Sequence, residues 1–234
     1  MSAIYRRELM AYFTSPIGYV FSAVFFAISG VCFTTSTIGS GTTDSTSYFA
    51  MILLFFVILI PLLTMKLFSD DKRNRTDQIL LTSPVSVFGI VMGKYLAAIT
   101  VFGATFVVNS FNFLLLFSYG EPNFVSIFVN ILGIFLLGAA FVAIGLFLSS
   151  LTENQLIAAV SAMGVNAAML LISAIAGKVD SQFWRMVIKF FSVWDRFTPF
   201  TNQMLDLSAI IYYLSLAAVA IFLTTRVIEK RRWA

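Results

Sequence analysis

The residues able to do chemistry in this 234-residue chain are few, and many of them crowd into one stretch. Asp70, Asp71, Lys72, Arg73, Arg75 and Asp77 lie between the apolar run that ends at Phe68 and the flank Ile79-Leu80-Leu81, with Thr76 among them and Pro84 beyond. Carboxylates and cations interleaved in this way form ion pairs, within the chain or across to another surface. Ser69 ahead of two acids, and Arg73 and Asp77 at i,i+4, predict a short capped helix over residues 70–81 with its acids at the positive end and Pro84 as its stop. Composition leaves two readings open, a solvated turn and a docking surface. The leucine-rich flank argues for docking, because it should not face water and the chain offers nothing of its own to cover it.

Other chemistry is excluded. The chain has no histidine, so His-ligated zinc, Ser-His and Cys-His nucleophiles and the HExxH helix are ruled out. Gly89-Ile-Val-Met-Gly93-Lys94-Tyr95 resembles a phosphate loop only loosely, having three residues between its glycines and Tyr95 where Ser or Thr would hold magnesium. The single cysteine, Cys32, cannot staple a fold and reads as packed or lipid-facing filler. No catalytic, cofactor-binding or metal-ligating residue is therefore expected, and no nucleic-acid surface.

The elements that carry the charged stretch are apolar. The chain is 59% hydrophobic and 11% charged, with a mean hydropathy of +0.94, far from an ordinary soluble domain. About 20 apolar residues are needed to cross the hydrocarbon as a helix, and six runs qualify, near 17–38, 48–67, 88–117, 124–148, 156–176 and 207–225. These predict an all-α polytopic protein, a single transmembrane domain over residues 1–234 with both termini on one side. The positive-inside rule chooses that side. Arg6, Arg7, Lys66, Lys72, Arg73, Arg75, Lys94, Arg226, Lys230, Arg231 and Arg232 fall with the termini, eleven cations against six acids. The other side has four cations against five acids, the two together giving the net +4. Both termini are expected in the cytoplasm, and a cleaved signal peptide is not expected, because the first run is long for one.

Two segments outside the spans are amphipathic. In residues 2–14 the spacing puts Tyr5, Leu9, Tyr12 and Phe13 on one face with Arg7 and Glu8 opposite, predicting an interfacial helix that turns at Ser15-Pro16. In residues 177–206, taken as a helix, Arg185, Lys189, Ser192 and Arg196 form a narrow stripe amid Phe183, Trp184, Val187, Ile188, Phe190, Phe191, Trp194 and Phe197. That pattern predicts one helix, or two short ones, in the outer interface, ended by Pro199.

The polar residues inside the spans are amides and hydroxyls. Asn109, Asn112, Ser161 and Asn166 are candidates either for packing or for lining a pathway. Pro61 is expected to kink the second span, and Gly138/Val142, Ala139/Ala143 and Gly164/Ala168 suit close helix packing. No carboxylate lies well inside a span, so an ion-coupled relay is not expected. A transporter without ion relay or nucleotide site draws its free energy from another chain, and two copies driven by a cytoplasmic ATPase that grips residues 70–81 meet that need.

Several stretches together resemble the ABC-2 type permeases, and within them the gliding-motility-associated permeases. They are Arg7-Glu8-Leu9-Met10-Ala11-Tyr12-Phe13-Thr14-Ser15-Pro16-Ile17-Gly18-Tyr19-Val20, Pro61-Leu62-Leu63-Thr64-Met65-Lys66-Leu67-Phe68 running into Asp70 to Val85, Gly93-Lys94-Tyr95-Leu96, Leu151-Thr152-Glu153-Asn154-Gln155, Asp195-Arg196-Phe197 and Arg226 to Trp233. The resemblance covers the whole length. Asp70-Asp71 stand where the family usually carries two glutamates, and Asn74-Arg75 where a glycine often sits. It implies that Asp70, Asp71, Arg73, Thr76 and Asp77 belong to the helix that couples to the ATPase, and residues 2–14 to the connecting helix. Spans two and five would form the pathway wall. It also implies a cassette ATPase partner that carries the ATP and magnesium, a second copy or a similar permease, and often a membrane protein with a large extracytoplasmic domain. The expected role is export across a bacterial cytoplasmic membrane. The rival role passes ATPase motion to an extracytoplasmic partner without transport.

Overall fold

The computed structural model describes residues 2–39, 41, 45–76, 78, 80, 85–118, 123–176 and 181–232, and among these every regular element is helical. Helix α1 (Ser2–Thr14) ends at Ser15, whose extended backbone (φ −95°, ψ 154°) hands the chain to α2 (Pro16–Phe33). Proline lacks an N–H and has a fixed φ, so it fits the first helical position and pushes the residue before it out of the α region. The predicted turn is therefore present. α2 loosens into a π-turn, Thr34–Ile38, where the hydroxyls of Thr34, Thr35 and Ser36 hydrogen-bond back to carbonyls of Gly30, Val31 and Cys32. Cys32 itself is buried.

The chain continues through α3 (Thr46–Thr64), α4 (Lys66–Arg73), α5 (Val87–Ser110) with a 3₁₀ extension (Phe111–Ser118), and α6 (Phe124–Leu151). Then come α7 (Gln155–Ala176), α8 (Gln182–Phe191), α9 (Val193–Thr201) and α10 (Leu207–Arg232). Six helical stretches are long and apolar enough to cross a membrane: Pro16–Ile38, Thr46–Arg73, Val87–Leu116, Phe124–Leu151, Gln155–Ala174 and Leu207–Arg232. They coincide with the six predicted runs. The second is longer than expected because α4 grows out of α3 after a one-residue pause at Met65, one turn beyond Pro61.

Helix α6 is the centre, packing on α3, α4, α5, α7, α9 and α10. Of its most apolar window 67% is buried, against 28% for α7, whose Leu156, Ile157, Val160 and Leu171 face outward. Three glycines let neighbours approach α6 closely, Gly133 receiving the Phe200 ring of α9. A Cβ at Gly138 would collide with the Phe102 ring of α5, and one at Gly145 with the Thr64 side chain of α3. Around Phe102 the rings of Phe56, Phe106 and Phe135 pack at centroid distances of 5.5, 6.0 and 5.8 Å, tying α3, α5 and α6.

The candidate polar residues separate into distinct roles. Asn109 Nδ2 donates to Tyr48 Oη at 2.7 Å, and Ser29 Oγ donates to Asn109 Oδ1 at 2.5 Å, joining α2, α3 and α5. Asn112 Nδ2 adds a bond to Asn109 Oδ1 at 3.2 Å. Ser161 donates to the Ala158 carbonyl of its own helix. Asn166 is fully buried and neither side-chain polar atom has a hydrogen-bond partner among the described residues. Asn109 thus bonds across three helices, where lipid offers no partner, and Asn112 bonds within its own span.

Gly138→Ala should destabilise the purified protein by about 1–3 kcal/mol through overpacking, seen as a lower thermal midpoint in detergent. Gly30→Ala, where an added Cβ meets nothing within 4 Å, should leave the midpoint unchanged or slightly raised.

Candidate functional site

The first half of the charged stretch, through Arg73, continues the second span as α4, and beyond the turn at residues 74–76 both Gln78 and Leu80 are again helical. Ser69 is not an N-cap: it lies inside α4 and its hydroxyl donates to the Met65 carbonyl. The α4 amides of Phe68 and Ser69 instead donate to Ser149 Oγ of α6, each at 3.1 Å, and Ser149 donates in turn to the Met65 carbonyl at 3.0 Å. A side chain distant in sequence thus caps the helix start, which local spacing could not reveal. Asp70 and Asp71 consequently fall near the C-terminal end of α4, not at the positive end expected for them. α4 stops at Arg73, and Arg75 adopts φ 58° in the left-handed region. Glycine takes that conformation without strain, and here Arg75 holds it with a side chain. Asp77, Ile79 and 81–84 lie outside the described residues.

The two aspartates point in different directions. Asp70 Oδ1 accepts from Gln155 Nε2 of α7 at 2.7 Å. Asp71 Oδ2 lies 2.6 Å from Lys94 Nζ, and Asp71 Oδ1 accepts from Thr76 Oγ1 at 2.8 Å. Lys72 is also buried and donates to the Ser150 carbonyl of α6. Arg73 is exposed. Of the predicted coupling residues, then, Asp71 and Thr76 meet each other, Asp70 is held to α7, and Arg73 faces outward.

Lys94 organises this end of the bundle. It is 1% exposed, on α5, and its ammonium also lies 2.9 Å from Glu8 Oε1 of α1 and 5.1 Å from the Phe68 ring centroid. Arg7 completes the cluster, pairing with Glu8 and lying 3.9 Å from Asp71 Oδ2. Desolvation lowers the pKa of the Arg7 guanidinium, but the hydrogen bond and charge of Glu8 and the charge of Asp71 outweigh it and raise the value overall. The two cations and two carboxylates balance, and the phenol of buried Tyr12 donates to the Leu63 carbonyl at 3.0 Å. Beside them opens a cavity of about 290 Å³, lined in part by Glu8, Tyr12, Lys66, Asp70, Asp71 and Lys94.

This geometry corrects the predicted face of α1. The buried stripe is Ile4, Glu8 and Tyr12, while Tyr5 and Leu9 are half-buried and Phe13 is exposed. Glu8 turns inward because Lys94 needs a counter-charge that hydrocarbon cannot supply. Gly93 makes room, since a Cβ there would press on Ile4 at 3.0 Å. Tyr5 Oη meets Thr100 Oγ1 at 3.0 Å nearly two turns further along α5. Lys94 is not among the candidate site residues drawn from the sequence, where it appeared as a cytoplasmic-side cation, in the loose phosphate-loop match and in the resembling stretch Gly93-Lys94-Tyr95-Leu96. The signal for it was a lysine inside an apolar helix with an acid, Glu8, set between Ile4 and Tyr12 at i−4 and i+4.

Lys94→Met would leave Glu8 and Asp71 with only the half-exposed Arg7 as counter-charge and should cost about 3–5 kcal/mol, read as a lower thermal midpoint of the purified protein. Neutralising all three, E8Q/D71N/K94M, should recover much of that loss, and a triple variant no more stable than K94M would contradict the assignment.

A family model described as ABC-2 family transporter protein matches residues 33–227. No curated protein matches the chain. The match takes in all the spans from the end of α2 to most of α10, together with Asp70, Asp71 and Lys94. The chain therefore belongs to the ABC-2 family of transporter proteins, as a multi-pass, non-catalytic permease subunit of an ABC transporter.

Proposed function

We propose that the chain is the membrane half of an exporter in the bacterial cytoplasmic membrane, its termini in the cytoplasm. A separate cassette ATPase, which carries the ATP and magnesium, docks on the end of α4 and on residues 74–81. The observation that carries this reading is that α4 is rigidly tied to the rest of the bundle. Lys94 links Asp71 to α5 and to Glu8 of α1, Gln155 links Asp70 to α7, and Ser149 and Ser150 link α4 to α6. A displacement of the turn at residues 74–76 is therefore transmitted to four other helices rather than absorbed locally. Closure of the cassettes would tilt α4 and, with it, α3 and α7, the second and fifth spans, opening a path at the axis of a dimer.

Exposed Arg73 and Arg75 and half-buried Asp70 are the groups available to the ATPase, and Asp71 acts inside the permease by pairing with Lys94. Assignment to the gliding-motility-associated subgroup, with its extracytoplasmic membrane partner, rests on the stretches quoted from the sequence. So does pairing with a second copy or a similar permease.

Reversing charge at the exposed edge, R73E with R75E, should abolish co-purification of the cassette ATPase while the permease keeps its elution profile and thermal midpoint. An undiminished complex would overturn the docking assignment. With the complex intact, ATP-dependent loss of a labelled lipid-linked substrate from proteoliposomes separates export from the transmission of motion alone.

A further inference from the structure

At the end of the bundle opposite α4, the segment after the fifth span does not form one helix. Ser192 is extended (φ −74°, ψ 114°), ends α8 and caps α9 by accepting from the Asp195 amide at 3.1 Å. Pro199 lies within α9, which runs on to Thr201, instead of ending it. Residues 177–180 lie outside the described residues.

The break folds the basic stripe into a pocket. A cavity of about 440 Å³ is lined by Gln182, Arg185, Met186, Lys189, Phe190, Asp195 and Arg196. Among the described residues that line it, three are cations and one is a carboxylate. Arg196 is held from below: its Nη1 donates to Ser208 Oγ at 2.8 Å, and its guanidinium lies 5.5 Å from the Tyr212 ring centroid and 5.9 Å from that of Phe190. The Lys189 side chain makes no ion pair or hydrogen bond among the described residues. Asp195 Oδ1 accepts from Ser173 Oγ at 2.8 Å, and its Oδ2 is buried with no hydrogen-bond partner among the described residues.

The surroundings fix the depth. Phe183, Trp184, Met186, Phe190 and Phe191 are each more than half exposed, an aromatic rim of the kind that sits at headgroup level. Ser208 and Tyr212 belong to the first turns of α10, whose Leu207, Ile211 and Leu214 are exposed apolar groups suited to acyl chains. A molecule reaching the cavity at this depth presents a headgroup. We propose that this cavity is a binding site for an anionic phospholipid, its phosphate held between Lys189, Arg185 and Arg196 and a headgroup hydroxyl donating to Asp195. Phosphatidylglycerol has that chemistry. A zwitterionic headgroup would set its own cation against the lysine and arginines, and free phosphate would leave the aromatic rim unused.

The test is native mass spectrometry of the full-length chain in detergent, with phosphatidylglycerol, phosphatidylcholine, phosphatidylethanolamine or inorganic phosphate added separately. Phosphatidylglycerol should be retained about tenfold more than the zwitterionic lipids, and R185Q/K189Q should lower its retention by roughly tenfold or more. R185K/K189R should restore it, and an unchanged thermal midpoint shows that the variants fold. Equal retention of all three lipids, unaltered retention in R185Q/K189Q, or displacement of phosphatidylglycerol by inorganic phosphate would each overturn the proposal. So would loss from R185Q/K189Q of a co-purifying membrane protein with lipid retention unchanged, which would make the cavity a protein interface.

Discussion

A lysine ammonium enclosed in an apolar bundle must find counter-charges, and most of the geometry at one end of this protein follows from that requirement. Lys94 cannot reach water, so its neighbours bring carboxylates to it from two directions, Glu8 on α1 and Asp71 on α4. Each carboxylate brings its helix. α1 is thereby laid along α5, with Gly93 removing the side chain that would hold it off, and α4 is turned so that its second aspartate faces inward. The set is neutral, which is what makes its burial tolerable. A neutral, hydrogen-bonded cluster is also geometrically selective, because displacing one member exposes the others to an uncompensated charge.

The same economy of polar groups runs through the spans. Helices in lipid gain little from hydrophobic burial against one another, so close backbone approach and hydrogen bonds between helices take over that role. Gly138 and Gly145 of α6 receive Phe102 and Thr64, and Asn109 gathers Ser29 and Tyr48. Ser149 holds the break between α3 and α4 closed from across the bundle. α4 is thereby connected to α1, α5, α6 and α7. At the opposite end the design is looser, with α8 exposing aromatic side chains and a basic cavity at its side.

A large part of this was legible in the amino-acid sequence, for a physical reason particular to membranes. Twenty apolar residues in a row have few alternatives to a spanning helix, so the six spans, like the Ser15-Pro16 turn, were readable to within a few residues except where the second and sixth run on into charged ends. Amphipathic stripes located α1 and the α8–α9 segment as elements. Their orientation was less legible. The aromatic face of Tyr5, Leu9, Tyr12 and Phe13 is a sound membrane-facing pattern, yet the buried stripe is rotated by about one residue, because an ion pair outweighs part of that pattern. Ser69 carried the spacing of a cap, but a serine on another helix does the capping.

By itself, then, the sequence determined that this chain is a six-span helical protein with a dense charge cluster after the second span. Hydropathy and composition act locally, residue by residue along one helix, and so survive translation from sequence to structure. Only the tertiary structure decided which charges face each other. Glu8, Asp71 and Lys94 are far apart in the chain and belong to different helices. Their meeting depends on how three helices rotate and how near a glycine lets them come, and no spacing within a single segment encodes that.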